Sequence, residues 1–237
     1  MNQILVSEKV YVTPILKRKK LFYKFQFIIS VIIVIILVTI FVCSEIEKRK
    51  NAAISQQILE QMAQYENDDT IIEDDTLVVA LNDNTEELPP QISEKFNHEY
   101  TTEKGTKYKI DSILNIPSLE INYPVISETT EELLKISLNK FWGGEPNEVG
   151  NYCIVGHNYD GKDILFGKLN KIQNGDIVEL EDKTGKIIQY KVYNTFIVMP
   201  TDVACTSQLT NGKVEMTLIT CADGGKTRLI VKCRAIE

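Results

Sequence analysis

The chain has 237 residues, 43% of them hydrophobic and 25% charged, with a formal net charge of −7. That length suits one or two domains, and the composition excludes a wholly disordered protein. The charge is uneven: twelve carboxylates stand against Lys95 alone between Glu60 and Glu99, a net of −11, so the remainder carries about +4; the acidity belongs to one segment rather than to a binding face, and nothing points to nucleic acid.

Residues 1–24 form a basic tail that ends with Lys17, Arg18, Lys19, Lys20 and Lys24. Phe25 to Ser44 has no charged residue in twenty positions. At helical rise that run matches the thickness of a bilayer and predicts a transmembrane helix over 25–44. The C-terminal flank mixes Glu45 and Glu47 with Lys48, Arg49 and Lys50. The asymmetry predicts a cytoplasmic N-terminus, with roughly 190 residues outside. A cleaved signal peptide is the rival reading, but the apolar run is long for one and no small-x-small site follows it. Bulky Phe41 and Val42 before Cys43 argue against a lipoprotein site.

Residues 45–104 are expected to form an extracellular stalk. Its first part, Asn51 to Tyr65, has helical residues and apolar spacing and is able to extend the membrane helix. From Glu66 to about Glu99 it turns acidic and contains Pro89-Pro90, a composition that resists a packed core. Residues 105–237 have the texture of a folded domain. Strands are expected at 108–116, 119–125, 151–156, 176–181, 187–199, 213–220 and 227–235. Short helices are expected at 129–138, capped by Thr129 or Thr130, and at 164–172. Many short strands with turn signals and two small helices predict an all-β barrel or sandwich with helical insertions.

Four of the five cysteines, Cys153, Cys205, Cys221 and Cys233, lie beyond the apolar run. One or two disulfides, for example Cys221 with Cys233, are the usual reading of an even number outside a membrane. A domain of about 130 residues buries enough apolar surface without them, which favours free thiols.

Cys221 ends the β-prone run Thr217-Leu218-Ile219-Thr220 and is followed by Ala222-Asp223-Gly224-Gly225. A thiol at a strand end beside a flexible loop can be reached by a substrate, whereas most free cysteines are small buried hydrophobes. That blander reading suits Cys153, Cys205 and Cys233. His157 ends the run Asn151 to Gly156, and an imidazole there can exchange protons near neutrality. The only other histidine, His98, lies in the acidic segment and reads as solvated. Arg228 opens the last strand, where a guanidinium can stabilise an oxyanion, with Arg234 as a competitor. Thiol, imidazole and guanidinium at three strand ends are the parts of an acyl-transfer site.

Taken together these residues resemble the sortases, the membrane-anchored cysteine transpeptidases of Gram-positive bacterial surfaces. Thr217-Leu218-Ile219-Thr220-Cys221 matches the family's TLxTC signature, and Arg228 stands as its following arginine. Asn151 to His157 is similar to the family's histidine strand, and Ile113 to Val125 to its opening strands. The resemblance covers about residues 107–236. It implies a closed eight-stranded β-barrel and cleavage of an LPxTG-type sorting signal on secreted proteins. Cys221 would be the nucleophile, His157 the acid and base, and Arg228 the oxyanion and substrate contact. Thr220 would line the site, and the Ala222 amide is a candidate second oxyanion donor. The acceptor would be an amine of a cell-wall peptide, of its lipid-linked precursor, or of a pilin lysine.

The connection Pro200 to Gly212 has thirteen residues and a single acid, Asp202. It is short for a class B member, and its one carboxylate does not support a calcium site, so no metal or cofactor is expected and a compact class A- or D-like form is favoured. A pilus-building role is disfavoured, since no lid motif is evident ahead of the domain and no apolar sorting tail follows it. Two other readings stand beside transpeptidation. One is an extracellular cysteine peptidase releasing product to water. The other is a non-catalytic, membrane-tethered β-domain that binds the wall. A redox role lacks a Cys-x-x-Cys pair.

Overall fold

The computed structural model describes residues 14–68, 98–102, 104–159 and 161–236. It divides into two compact units, Met1–Lys48 and Arg49–Glu237. A single helix, α1 (Pro14–Asp68), contributes to both. In the first unit its large apolar side chains, from Leu21 through Ile33 to Ile46, are exposed on every side. A helix apolar all round has no protein core to face, and this one is long and apolar enough to cross a membrane.

In the second unit the rest of α1 behaves differently. Ser55, Ile58 and Met62 fall on one face by their three- and four-residue spacing, and all three are buried. Ile58 and Met62 pack with Tyr108, Ile110, Ile126, Leu133 and Ile136. Gln56 Nε2 donates to Asn122 O at 3.1 Å, and Ser55 Oγ donates to Ile136 O. Residues 52–62, expected within a stalk, therefore lie against the folded domain. The acidic run falls largely at 69–97, outside the described residues.

Nine strands follow: β1 (Glu99–Thr101), β2 (Lys107–Ile116), β3 (Ile121–Ile126), β4 (Leu138–Trp142), β5 (Gly150–Gly156), β6 (Ile177–Asp182), β7 (Ile187–Val198), β8 (Val214–Ala222) and β9 (Thr227–Ala235). The ring runs β2-β3-β4-β5-β8-β9-β7-β6 and closes because β2 also pairs with β6. This is the expected closed eight-stranded barrel; β1 adds a three-residue ninth strand on β2. Closure leaves those eight strands no open edge. Two pairs are parallel, β3–β4 and β5–β8. Alternate, inward-facing residues of the strands, among them Leu114, Val125, Ile154, Leu180, Leu218 and Val231, fill the interior.

Two helical expectations fail in instructive ways. The stretch 129–138 holds only a four-residue helix, α2 (Leu133–Ile136), before β4 begins at Leu138. Thr130 does act at its start, its Oγ1 accepting the Leu133 amide at 3.2 Å. β4 escaped notice because Asn139, at a buried position, breaks the apolar pattern; its amide donates to Glu128 O at 2.6 Å. The stretch 164–172 holds only a 3-10 turn, Leu169–Lys171. Leu165 has φ +48° and bridges to Asn158, which no helix permits.

All five cysteines are free. Cys153 and Cys233 are fully buried and follow the blander reading.

Candidate active site

The register of three strands places the candidate residues. β5 and β8 run parallel with Gly156 beside Thr220, so His157, one residue on, comes level with Cys221. Adjacent strands lie about 4.8 Å apart. β8 and β9 run antiparallel with Cys221 directly opposite Arg228. Directly opposed residues share a face, with Cβ atoms about 5 Å apart. On β8 that face carries Thr217, Ile219 and Cys221, whereas Met216, Leu218 and Thr220 turn inward. Ile219 packs outside the barrel with Cys153, Ile230 and half-buried Val155, Phe196, Val198 and Cys205. The register thus sets Cys221, His157 and Arg228 at neighbouring positions at the end of an apolar strip on the outer wall, and each is half-buried.

Local structure holds each of them. Gly156 precedes His157 because a Cβ there would stand 2.5 Å from Leu138 Cδ2 and 2.8 Å from Phe166 Cδ2. Asn158 Nδ2 donates to Cys221 O at 2.8 Å, tying the histidine loop to the end of β8. In the sequence Asn158 reads as an ordinary turn residue, and its place directly after a strand-end histidine is the only local signal of this role. After Ala222 the chain makes a tight turn, Asp223–Gly225, with all three residues at positive φ. Glycine suits two of those positions, since it alone tolerates that conformation without strain. The turn returns Arg228 to Cys221, and Arg228 Nη1 donates to Gly225 O and Thr227 O, each at 3.0 Å.

Burial, helped by the nearby Lys135 ammonium, pushes the His157 imidazole below its usual 6.5. It is therefore neutral at neutral pH. Burial moves the other domain thiols upward: Cys153 to about 12, with Cys205 and Cys233 also raised. Those three are poor nucleophiles for that reason.

Thr220 requires a correction. It is 1% exposed, lies on the face opposite Cys221, and its Oγ1 donates to Gly156 O at 2.7 Å. It joins the two strands that carry Cys221 and His157 and does not line the site. Ala222 ends β8 opposite Thr227. Arg234, the competing cation, is bound to Glu215 at 2.7 Å. It pairs six positions down the ladder from Cys221, roughly 20 Å away at strand rise. His98 is exposed. Among the described residues no three His, Cys, Asp or Glu side chains are grouped to hold a metal.

The family model for the sortase domain matches residues 114–236. Sortase A of Bacillus anthracis is 30% identical over 115 residues, covering 48% of this chain and 53% of that protein. YwpE of Bacillus subtilis, provisionally assigned as a sortase, is 37% identical over 90 residues, covering 37% of this chain and 85% of that protein. Against the longer relatives, such as the sortases A of B. anthracis and Listeria monocytogenes, the chain spans about half their length. Sortase A from Corynebacterium diphtheriae, solved as a lid mutant, shares the fold with a TM-score of 0.51 at 19% identity, covering 78% of this chain and 95% of that one. A family match over more than half the chain, on a barrel of this closure and strand order, makes this protein a member of the sortase family.

Proposed function

We propose that the chain is a membrane-anchored cysteine transpeptidase. It cleaves an LPxTG-type sorting signal on secreted proteins and passes the acyl group to an amine of the cell wall or of its lipid-linked precursor. The observation that carries this reading is the register that sets Cys221 level with His157 and opposite Arg228. Residues 1–24 are cytoplasmic, 25–44 span the membrane, and 105–237 work outside it, as the basic N-terminal flank favours. Cys221, His157 and Arg228 are the catalytic residues, with the Ala222 amide as second oxyanion donor.

The neutral imidazole takes the Cys221 proton as sulfur attacks the peptide carbonyl. Arg228 and the Ala222 amide stabilise the oxygen that becomes negative in the tetrahedral intermediate. Its collapse breaks the C–N bond, and the imidazolium returns the proton to the leaving amine. A thioester remains and keeps much of the acyl-transfer potential, so a second amine can replace water. His157 then removes the proton of the incoming amine as that amine attacks the thioester, the C–S bond breaks, and the imidazolium returns the proton to the Cys221 sulfur. The compact class A- or D-like form is favoured because the β7–β8 connection holds only one 3-10 turn, Ala204–Thr206.

The test is incubation of the full chain in detergent with a sorting pentapeptide, with and without amine acceptors and with a chelator, read by mass spectrometry. Amide product that depends on the amine and survives the chelator is the expected result. Hydrolysis alone in every case favours the peptidase reading, and intact peptide removes acyl transfer altogether. Arg228→Lys should lower kcat/KM roughly 100-fold, the usual effect of losing an oxyanion donor, because an ammonium lacks the planar fork. Turnover near wild type would take Arg228 out of the site, and Arg234 is too far away to replace it.

A further inference from the structure

The β7–β8 connection, residues 199–213, runs beside the apolar strip that leads to Cys221, and Cys205 within it packs onto that strip. Its position is set by a closed set of hydrogen bonds from the barrel wall. Lys232 on β9 stands opposite Thr217 on β8, on the outward face shared with Arg228. Its side chain is 13% exposed. Lys232 Nζ donates to Thr217 Oγ1 at 2.8 Å and to Cys205 O at 3.2 Å. Thr217 Oγ1 donates in turn to Asn151 Oδ1 at 2.6 Å. Asn151 Nδ2 closes the circuit on Cys205 O at 3.0 Å and Ser207 O at 3.1 Å. Gln208 reaches back from the loop, its Nε2 donating to Asn151 O at 2.9 Å and its Oε1 accepting the Asn151 amide at 3.0 Å.

The ammonium is poorly compensated. Among the described residues its only carboxylate neighbour, Glu215, is 3.9 Å away and already holds Arg234 and the Tyr193 hydroxyl. A largely buried lysine with a distant, shared counter-ion is an expensive way to stabilise a sheet, since an apolar residue of similar volume often does as well. What an apolar residue cannot do is grip loop carbonyls. We propose that Lys232 is a positioning residue: with Thr217 and Asn151 it fastens residues 205–208 as the fixed wall of the groove that receives the acyl-donor peptide at Cys221. This rests on the acyl-transfer reading above and adds to it the element that orders the peptide-binding wall. Lys232 pairs four positions down the ladder from Cys221, about 13 Å at strand rise, so its loss acts on binding and leaves the chemical step in place.

The test compares the full chain in detergent with Lys232→Met and Gln208→Ala. Amide hydrogen exchange is followed over residues 200–213, and kcat and KM are measured with a sorting pentapeptide and a fixed amine. Lys232→Met should speed exchange in that segment alone and raise KM roughly 10-fold or more, with kcat within about threefold, as expected when the Cys205 carbonyl keeps Asn151 but loses the ammonium. Gln208 is exposed, so Gln208→Ala should fold and move both readouts in the same direction by less. It decides the matter if Lys232→Met does not fold. Unchanged exchange at 200–213 in a folded variant overturns the proposal. So does a fall in kcat that exceeds the rise in KM. Wild-type protein that turns over no peptide refutes acyl transfer by itself, and the exchange comparison still decides whether Lys232 holds the loop.

Discussion

Cys221→Ala should abolish thioacyl-enzyme and lower turnover by roughly four orders of magnitude or more, the usual consequence of deleting a nucleophile. The fold should be untouched. Cys221 is half-buried at the end of β8, and its place in the sheet rests on backbone pairing with Arg228 and on the Asn158 amide at its carbonyl. None of these involves sulfur, so stability should change by less than about 1 kcal/mol. Intact mass after mixing with a sorting peptide reads the thioester, and thermal denaturation reads the fold. A peptide-directed electrophile should label wild type at residue 221 and spare Cys153, Cys205 and Cys233, two of which are fully buried and all of which have raised thiol pKa values. Turnover retained in the alanine variant would place the nucleophile elsewhere.

Asp111→Ala should destabilise the domain by about 3 kcal/mol, the typical result of stranding a buried charge. Asp111 is 2% exposed and sits at the bulge in β2 between Ile110 and Ser112. Its carboxylate lies 3.3 Å from Lys140 Nζ and 3.4 Å from Lys183 Nζ, and it accepts the Tyr152 hydroxyl at 2.7 Å. Beside that carboxylate, and fully buried, the Tyr152 phenol is held well above its usual pKa. Removing Asp111 leaves Lys140, 17% exposed on its side chain, with Glu145 at 3.6 Å as its one carboxylate among the described residues. For a domain of this size the midpoint of thermal unfolding should fall by roughly 6–12 °C. The same variant should keep its kcat, since Tyr152 lies five residues along β5 from His157, about 16 Å at strand rise. A shift below about 2 °C would mean that solvent already supplies what the two lysines lose.

Some of this architecture is legible in the linear chain. The uncharged run at 25–44 needs only its length and composition to read as a membrane-length helix, because bilayer thickness is an external ruler. Seven strands are visible as β-prone runs between turn residues, since alternation is a local property of a half-buried strand. The five-residue signature ending at Cys221, with an arginine seven positions on, marks the candidate nucleophile for a local reason too. A tight turn between two antiparallel strands leaves little choice of partner, and Cys221 faces Arg228 by hairpin register alone.

What the chain order conceals is whatever depends on residues far apart in sequence. β4 hides behind Asn139, a polar residue tolerated in the interior only because a carbonyl eleven residues away accepts its amide. His157 comes level with Cys221 only because β5 and β8 pair in parallel across the 57 residues between them. The signature threonine Thr220 turns inward to Gly156 and supports the site from behind, an outcome set by which face of β8 the barrel buries. Ile58 and Met62 read as part of a stalk until the cluster they complete is seen. Local periodicity and turn chemistry determined the elements and the reactive side chains. The pairing order of the strands, chosen by burial of the whole barrel interior at once, decided which of those side chains could meet.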